Sequence, residues 1–263
     1  MPKHQNSLFA EVRRQEISAL VQKEGKITVN ALCEKFSVSP ATIRTDLKEL
    51  ESSGQLKRTH GGAIMIGNAG YELTSKEKVV QNIAAKAAIA KEAQRFVCAG
   101  DAITVDTGTT GLELAKLLVS EGNLTVVTND LETALFLEYN SDVNIMLLGG
   151  IVRKHFCCTL GSFVMEALDK IHIDTLFLAT NGVSLEHGLS TPNVEVANIK
   201  RKLIQTSSRV VLLADKSKFQ NNSFIYFASL EDIDVIISDA DIGEKLKDTP
   251  NAGHIEFIHV DVE

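Results

Sequence analysis

Cysteine is scarce in this chain and badly spaced for chemistry: Cys33, Cys98, Cys157 and Cys158 are all there is, and no two stand at C-x-x-C spacing. That spacing argues against a zinc ribbon or a disulfide framework. It leaves buried thiols in a reducing cytoplasm as the plain reading, with a redox role for adjacent Cys157 and Cys158 as the alternative. No apolar run approaches the roughly 18–20 residues that span a bilayer, and the N-terminus lacks a signal peptide's apolar segment. A cytoplasmic protein with no membrane partner is expected. Long repeats, low-complexity tracts, a Walker Gly-Lys-Ser/Thr and the spacing of a dinucleotide fingerprint are also missing. Spacing reveals no metal motif and no nucleophile–base pair, so neither metal nor cofactor is expected, and no catalytic residue can be named.

What the chain does have is an uneven distribution of charge. Residues 1–64 hold ten Lys/Arg and seven Asp/Glu, a balance of +3, whereas 65–263 hold 17 and 27, a balance of −10. The acidic total therefore does not argue against a nucleic-acid partner, because the cationic residues concentrate in the first quarter. At 263 residues and 44% hydrophobic content, the chain suits one small and one medium globular domain.

The small domain reads as a winged helix-turn-helix over 1–64. Arg13 to Gly25 forms a first helix with Ile17, Leu20 and Val21 inward. Thr28 caps a short second helix, and Ser37-Val38 turns into a third. Ser39 is a suitable N-cap, and Pro40 fits the first helical position, where its missing N–H has no intrahelical partner anyway. Ile43, Leu47 and Leu50 fall at i, i+4 and i+7, one apolar face. Thr42, Arg44, Thr45 and Lys48 are left mostly on the other faces, where they can meet base edges and phosphates. After Gly54, residues 55–64 read as two short strands, a wing carrying Arg58 and His60, with Gly61 and Gly62 giving freedom to turn. The DNA-contacting set is thus Ser39, Thr42, Arg44, Thr45, Lys48, Arg58 and His60. A helical protein-interaction domain is the competing use of the same geometry.

A linker over 65–74, interrupted by Gly67, Asn68 and Gly70, joins this head to a domain over 75–263. Thr74-Ser75-Lys76-Glu77 looks like a capping box opening a long alanine-rich helix to about Arg95. Strand-like runs follow at 102–106, 124–128, 143–148, 175–179, 209–214, 234–238 and 255–260. Helix-like runs stand at 110–120, 131–139, 162–170, 194–207 and 242–247. The alternation predicts an α/β fold with a mostly parallel sheet covered on both faces, and ligands beyond the strands' carboxyl ends.

The loops at those ends carry candidate ligand residues. Asp106-Thr107-Gly108-Thr109-Thr110-Gly111 joins a strand to a helix N-terminus and suits a single phosphate, although an ordinary Gly/Thr turn has the same composition. Thr128-Asn129, Gly149-Gly150 with Arg153, Asn181, and Asp215, Lys216 and Lys218 close the set. Lys216 and Lys218 also read as a solvated pair, and Arg153-Lys154 as a surface pair.

Taken together these motifs resemble the DeoR-type bacterial transcriptional regulators along nearly the whole chain. Ser37-Val38-Ser39, Thr42-Ile43-Arg44, Asp46-Leu47, Leu50-Glu51, Gly54 and residues 58–63 look like the family's N-terminal signature. Residues 106–110, Val127-Thr128-Asn129, Leu148-Gly149-Gly150 and 215–219 look like its sensor motifs. The resemblance implies a sensor with the fold of ribose-phosphate isomerase and glucosamine-phosphate deaminase, binding a phosphorylated sugar without turnover. It also implies a homo-oligomer (dimer or tetramer), usually a repressor that binds double-stranded operator DNA of a carbohydrate-utilisation operon. Thr45 departs from the family, which usually has a second arginine after Arg44. Residues 187–193 with Glu195 look like members linked to amino sugars or sugar alcohols. The competing class is an active sugar-phosphate isomerase or deaminase with a regulatory head. Asp106, Asp215, Glu195, His155 and Lys216 are groups able to move protons, but a winged helix has little use on a simple isomerase.

Overall fold

The computed structural model describes residues 3–53, 55–59, 61–65 and 72–262. Gly54, His60 and residues 66–71 of the expected linker lie outside the described residues. The chain forms two compact units, Met1–Asn68 and Ala69–Glu263.

The first unit runs α1 (Lys3–Glu24), β1 (Lys26–Thr28), α2 (Val29–Phe36), α3 (Pro40–Ser52), β2 (Leu56–Thr59) and β3 (Gly62–Met65). Helix α1 begins at Lys3, ten residues before the expected Arg13, so residues 3–12 extend the first helix backward. The caps follow the local chemistry. Thr28 accepts from the Ala31 N–H, and Ser39 accepts from the Thr42 N–H ahead of Pro40. Ser37 takes the left-handed conformation, φ 52°, that ends α2. Ile17, Val21, Leu32, Ile43, Leu47, Leu50 and Leu56 close one core. Strands β2 and β3 are the two expected wing strands, and β1 adds a third in the order β1-β3-β2. That extra strand changes the reason for Gly62: a Cβ there would stand 1.9 Å from the Ile27 carbonyl oxygen, so close strand approach, not turning, demands glycine.

The second unit opens with α4 (Ser75–Val79) and α5 (Ile83–Ala93). It continues through β4 (Ala102–Val105), α6 (Thr109–Leu117), β5 (Thr125–Thr128), α7 (Leu131–Asn140) and β6 (Asn144–Leu147). Next come β7 (Ile151–Arg153), β8 (Cys158–Leu160), α8 (Ser162–Leu168), β9 (Ile173–Ala179), β10 (Gly182–Ser184), β11 (Gly188–Thr191) and α9 (Val194–Gln205). The last elements are β12 (Ser207–Leu213), β13 (Ile225–Ala228), β14 (Val235–Ser238), α10 (Gly243–Lys247) and β15 (Glu256–His259). The Thr74–Glu77 capping box forms. The expected single helix to Arg95 does not: Asn82 sits at φ 50° and divides it into α4 and α5. The cause lies elsewhere in the fold, since the Asn82 amide donates to Asp215 Oδ1 at 2.9 Å instead of continuing a helix.

All seven expected strands enter one sheet in the order β15-β14-β12-β9-β4-β5-β6, parallel throughout. Successive residues feed opposite faces: Leu176 and Leu178 join the core under α8 and α9, and Phe177 joins the core under α5, α6 and α7. The chain leaves β4 toward β5 and β6, then returns to β4's other side with β9. The crevice between the carboxyl ends of β4 and β9 is therefore the switch point of the sheet, where such folds hold ligands. A β7–β8 hairpin and a β10-β11-β13 sheet were not legible in the sequence.

Candidate functional site

At the switch point Asp106, 1% exposed, holds both strand ends together. Its Oδ1 accepts from the Thr107 N–H at 2.7 Å, and its Oδ2 accepts from the Ala179 N–H at 2.9 Å. Lys200 of α9, 3% exposed, donates to the same Oδ2 and to the Ala179 carbonyl at 2.9 Å. Gly108 takes φ +146°, a conformation side chains rarely adopt, and donates its N–H to Asp130 Oδ2 at 3.3 Å. Burial pushes the Asp130 carboxyl up to about 6. Downstream, the N–H groups of Thr109, Thr110 and Gly111 open the first turn of α6, where backbone donors have no partner within the helix.

A cavity opens over this turn. Thr107, Gly108, Thr109, Thr110, Arg153, Asn181, Asp215 and Lys218 line it, as the sequence leads one to expect. It is also lined by residues that periodicity gave no reason to single out: Glu72, Lys78, Asn82, Lys86 and Lys200. The others lie elsewhere. Asp106 is beneath the floor. Thr128 is buried, donating to the Val105 carbonyl at 2.7 Å, and the Asn129 amide donates to the Thr159 carbonyl at 2.9 Å. Gly150 is required by the hairpin, since a Cβ there would meet the Leu160 carbonyl oxygen at 2.4 Å, and Gly149 beside it is exposed. Lys216, 69% exposed in its side chain, faces Asp239. Segment 187–195 supplies β11 and the start of α9, with Glu195 exposed.

Charge is concentrated in the cavity. Lys78, Lys86, Arg153, Lys200 and Lys218 line it, against Glu72 and Asp215 on the wall and Asp106 below. Burial, together with the Lys218 and Lys78 charges, holds the Lys86 ammonium down to about 8. Burial also lowers Lys78, against the pull of Glu72. Asp215 Oδ1 accepts from Asn82 and from the Ser217 N–H at 3.0 Å. Its Oδ2 is buried without a hydrogen bond among the described residues, 3.9 Å from Lys218 Nζ. Arg153 stacks 3.6 Å over the Phe156 ring. Burial raises both neighbouring thiols, Cys158 to about 11, which makes them poor nucleophiles. Among the described residues no group of three or more His, Cys, Asp or Glu is placed to hold a metal, and no helix is long and apolar enough to cross a membrane.

In the first unit, α3 buries Asp46, 2% exposed, which takes a bidentate contact from Arg13 at 2.6 and 3.2 Å and locks α3 to α1. Arg44, Thr45 and Lys48 are on the exposed side. Ser39 and Thr42 hydroxyls bond each other at 2.9 Å, and Thr45 bonds the Ala41 carbonyl at 3.1 Å. Arg58 is held by Glu51, Nε to Oε2 at 2.7 Å, so a phosphate must compete for it.

Family models match both units: a DeoR-like helix-turn-helix domain over residues 13–68 and a DeoR C-terminal sensor domain over 81–240. Among curated proteins, the HTH-type transcriptional regulator GlpR of Haloferax volcanii is 37% identical, over 88% of this chain and 90% of that protein. The HTH-type transcriptional repressor GlcR of Bacillus subtilis is 33% identical over 88% and 89%. The putative aga operon transcriptional repressor of Escherichia coli O157:H7 is 31% identical over 94% and 93%. Among solved structures, ribose 5-phosphate isomerase A of Neisseria gonorrhoeae has a TM-score of 0.39 and 16% identity over 54% of this chain and 55% of that one. With both units matched, and with relatives named as regulators and repressors over nearly their full length, the chain belongs to the DeoR family of transcriptional regulators.

Proposed function

We propose that this regulator represses a carbohydrate-utilisation operon and that a phosphorylated sugar, bound without turnover in the second unit, controls its grip on DNA. The observation that carries the reading is the cavity at the β4–β9 switch point, where five cationic side chains meet three carboxylates. That excess of two positive charges, beside the unpaired N–H groups at the start of α6, complements a phosphate dianion. Asp215 Oδ2 offers a polar partner for a sugar hydroxyl. In this reading the phosphate meets Thr107, Gly108, Thr109 and Thr110 at the start of α6 and the cationic wall of Lys78, Lys86, Arg153, Lys200 and Lys218. Asp106 ties the strand ends beneath the cavity, and Thr128, Asn129, Gly149 and Gly150 stand outside its lining. Lys216 has no part. Arg44, Thr45 and Lys48 read the operator, Ser39 and Thr42 set the helix start, and Arg58 reaches from the wing. The expected linker 65–74 is shorter than its bounds, since Met65 belongs to β3 and Glu72–Thr74 to the second unit. The protein acts in the cytoplasm as an oligomer.

The test pairs an operator-shift assay with a panel of pentose, hexose and amino-sugar phosphates and a turnover assay on the same compounds. Thr110→Asp places a carboxylate in the second position of α6, where the helix dipole favours an anion, and adds like charge where the dianion binds; circular dichroism checks that the fold survives the change at a position 7% exposed. It is a better variant than Gly108→Asp, which is strained at φ +146° whatever its charge. The Thr110→Asp protein is expected to bind the operator and ignore the sugar phosphate. A normal response would place the phosphate elsewhere, and turnover of any panel member would reinstate the isomerase or deaminase reading.

A further inference from the structure

Glu72 is unlike the other carboxylates of the cavity. Asp106 and Asp215 are each fixed by backbone N–H groups, from Thr107 and Ala179 and from Ser217. The hydrogen bonds to Glu72 come from side chains instead: Lys78 Nζ at 2.6 Å, Arg153 Nη1 at 2.8 Å and Asn181 Nδ2 at 3.2 Å. Removing it from the cavity would therefore strand no backbone donor. Its three partners come from α4, β7 and the β9–β10 loop, and Phe156 under the guanidinium fixes the Arg153 plane. A guanidinium, an ammonium and an amide converging on one carboxylate make the donor set that recognises a phosphate or carboxylate ligand.

The position of Glu72 in the chain gives that arrangement a consequence. It follows Asn68, the last residue of the first unit, by four residues. Just beyond it the chain is pinned: the Ser75 N–H donates to the His155 carbonyl at 3.0 Å, and Thr74 is locked into its capping box with Glu77. Residue 72 thus stands two residues from a fixed point at 74–75, and among the described residues its side-chain bonds to other side chains of the cavity are all to Lys78, Arg153 and Asn181. Burial pushes the Glu72 carboxyl up, but the Lys78 and Arg153 charges overcome this and hold it at about 2, so it is an anion throughout the physiological range.

We infer that Lys78, Arg153 and Asn181 form an anion subsite which Glu72 fills as a tethered stand-in for the ligand's own charged group, and that an incoming phosphorylated ligand expels it. This rests on the reading of the cavity as a phosphate-binding site. A dianion and the Glu72 carboxylate repel each other across the same three donors, so occupancy is exclusive. Expulsion takes residue 72, four residues from the end of the first unit, off its three anchors, and a ligand that binds only the expelled state has the differential effect that allosteric control needs.

The experiment uses the full chain and inorganic phosphate as probe, titrated at constant ionic strength against wild type, Glu72→Gln and Thr110→Asp. Removing a tethered competitor raises the competent fraction, so Glu72→Gln is expected to bind phosphate about tenfold more tightly than wild type. Hydrogen exchange of wild type, which needs no mutant to fold, is expected to rise at residues 72 and 73 on saturation with phosphate, with Thr74 held by its capping box. Unchanged or weaker binding by Glu72→Gln, or exchange there that falls, overturns the inference: Glu72 would then be a structural anion or a direct ligand contact. Phosphate binding that Thr110→Asp leaves intact, or no binding by wild type, instead refutes the cavity reading on which the inference stands.

Discussion

Replacing Lys200 by Met tests the keystone of the sensor site. The substitution keeps the length and much of the volume of the stem but removes the ammonium that faces Asp106 and the Ala179 carbonyl. Asp106 is 1% exposed, so water cannot take over from the lost cation. Breaking one side of a buried pair costs about 3–5 kcal/mol, because a charge is left uncompensated in a poor solvent. In a domain the size of the second unit each kcal/mol moves Tm by about 2–4 °C, so a loss on the order of 10 °C is expected by scanning calorimetry. Asp106→Asn should cost a comparable amount for a second reason: an amide has only one oxygen, so the Thr107 or the Ala179 N–H loses its acceptor. Because both variants break one interaction, the double mutant should be less destabilised than the sum, with a coupling of about 1–3 kcal/mol. A Lys200→Met protein that melts within about 3 °C of wild type, or strict additivity in the cycle, would refute the keystone role.

Arg44→Ala should cost about 1–3 kcal/mol of specific operator binding if the guanidinium reads a base, measured against non-specific DNA. Arg58→Ala should weaken all sequences alike and lower the salt slope by about one, whereas Glu51→Gln, which frees that guanidinium, should strengthen them. Lys86, held down to about 8, must carry its proton to face a dianion, so sugar-phosphate affinity should fall as pH rises from 7 to 9. Calorimetry in buffers of different ionisation enthalpy should show proton uptake near pH 8, and Lys86→Met should abolish it. Gly62→Ala, with a Cβ 1.9 Å from a backbone oxygen, should unfold the three-stranded sheet and with it operator binding, read by circular dichroism of the first unit and a gel shift. Light scattering should find at least a dimer, and a monomer that binds its operator tightly would count against paired half-sites.

Local rules carried much of the fold. Ser39-Pro40 starts α3, Thr74 and Glu77 start α4, and seven apolar runs became the seven strands of the parallel sheet, because caps and periodicity act over a few residues and are written in sequence neighbours. The loop after β4 was legible for the same reason, as a strand end, two glycines and three threonines in a row. Where local rules failed, a distant partner had intervened: Asp215 drew Asn82 out of the helix it would have continued, and β1 paired beside β3 so that Gly62 serves close packing instead of turning. The charged heart of the sensor site depended on tertiary structure altogether. Lys78, Lys86 and Lys200 stand in helix-like runs whose sequence singles none of them out, and Glu72 falls within the expected linker. Only the order β15-β14-β12-β9-β4-β5-β6 brings them together over one crevice. Strand order is decided by which crossovers bury both faces of the sheet, a long-range property of the whole domain that no local window of sequence contains.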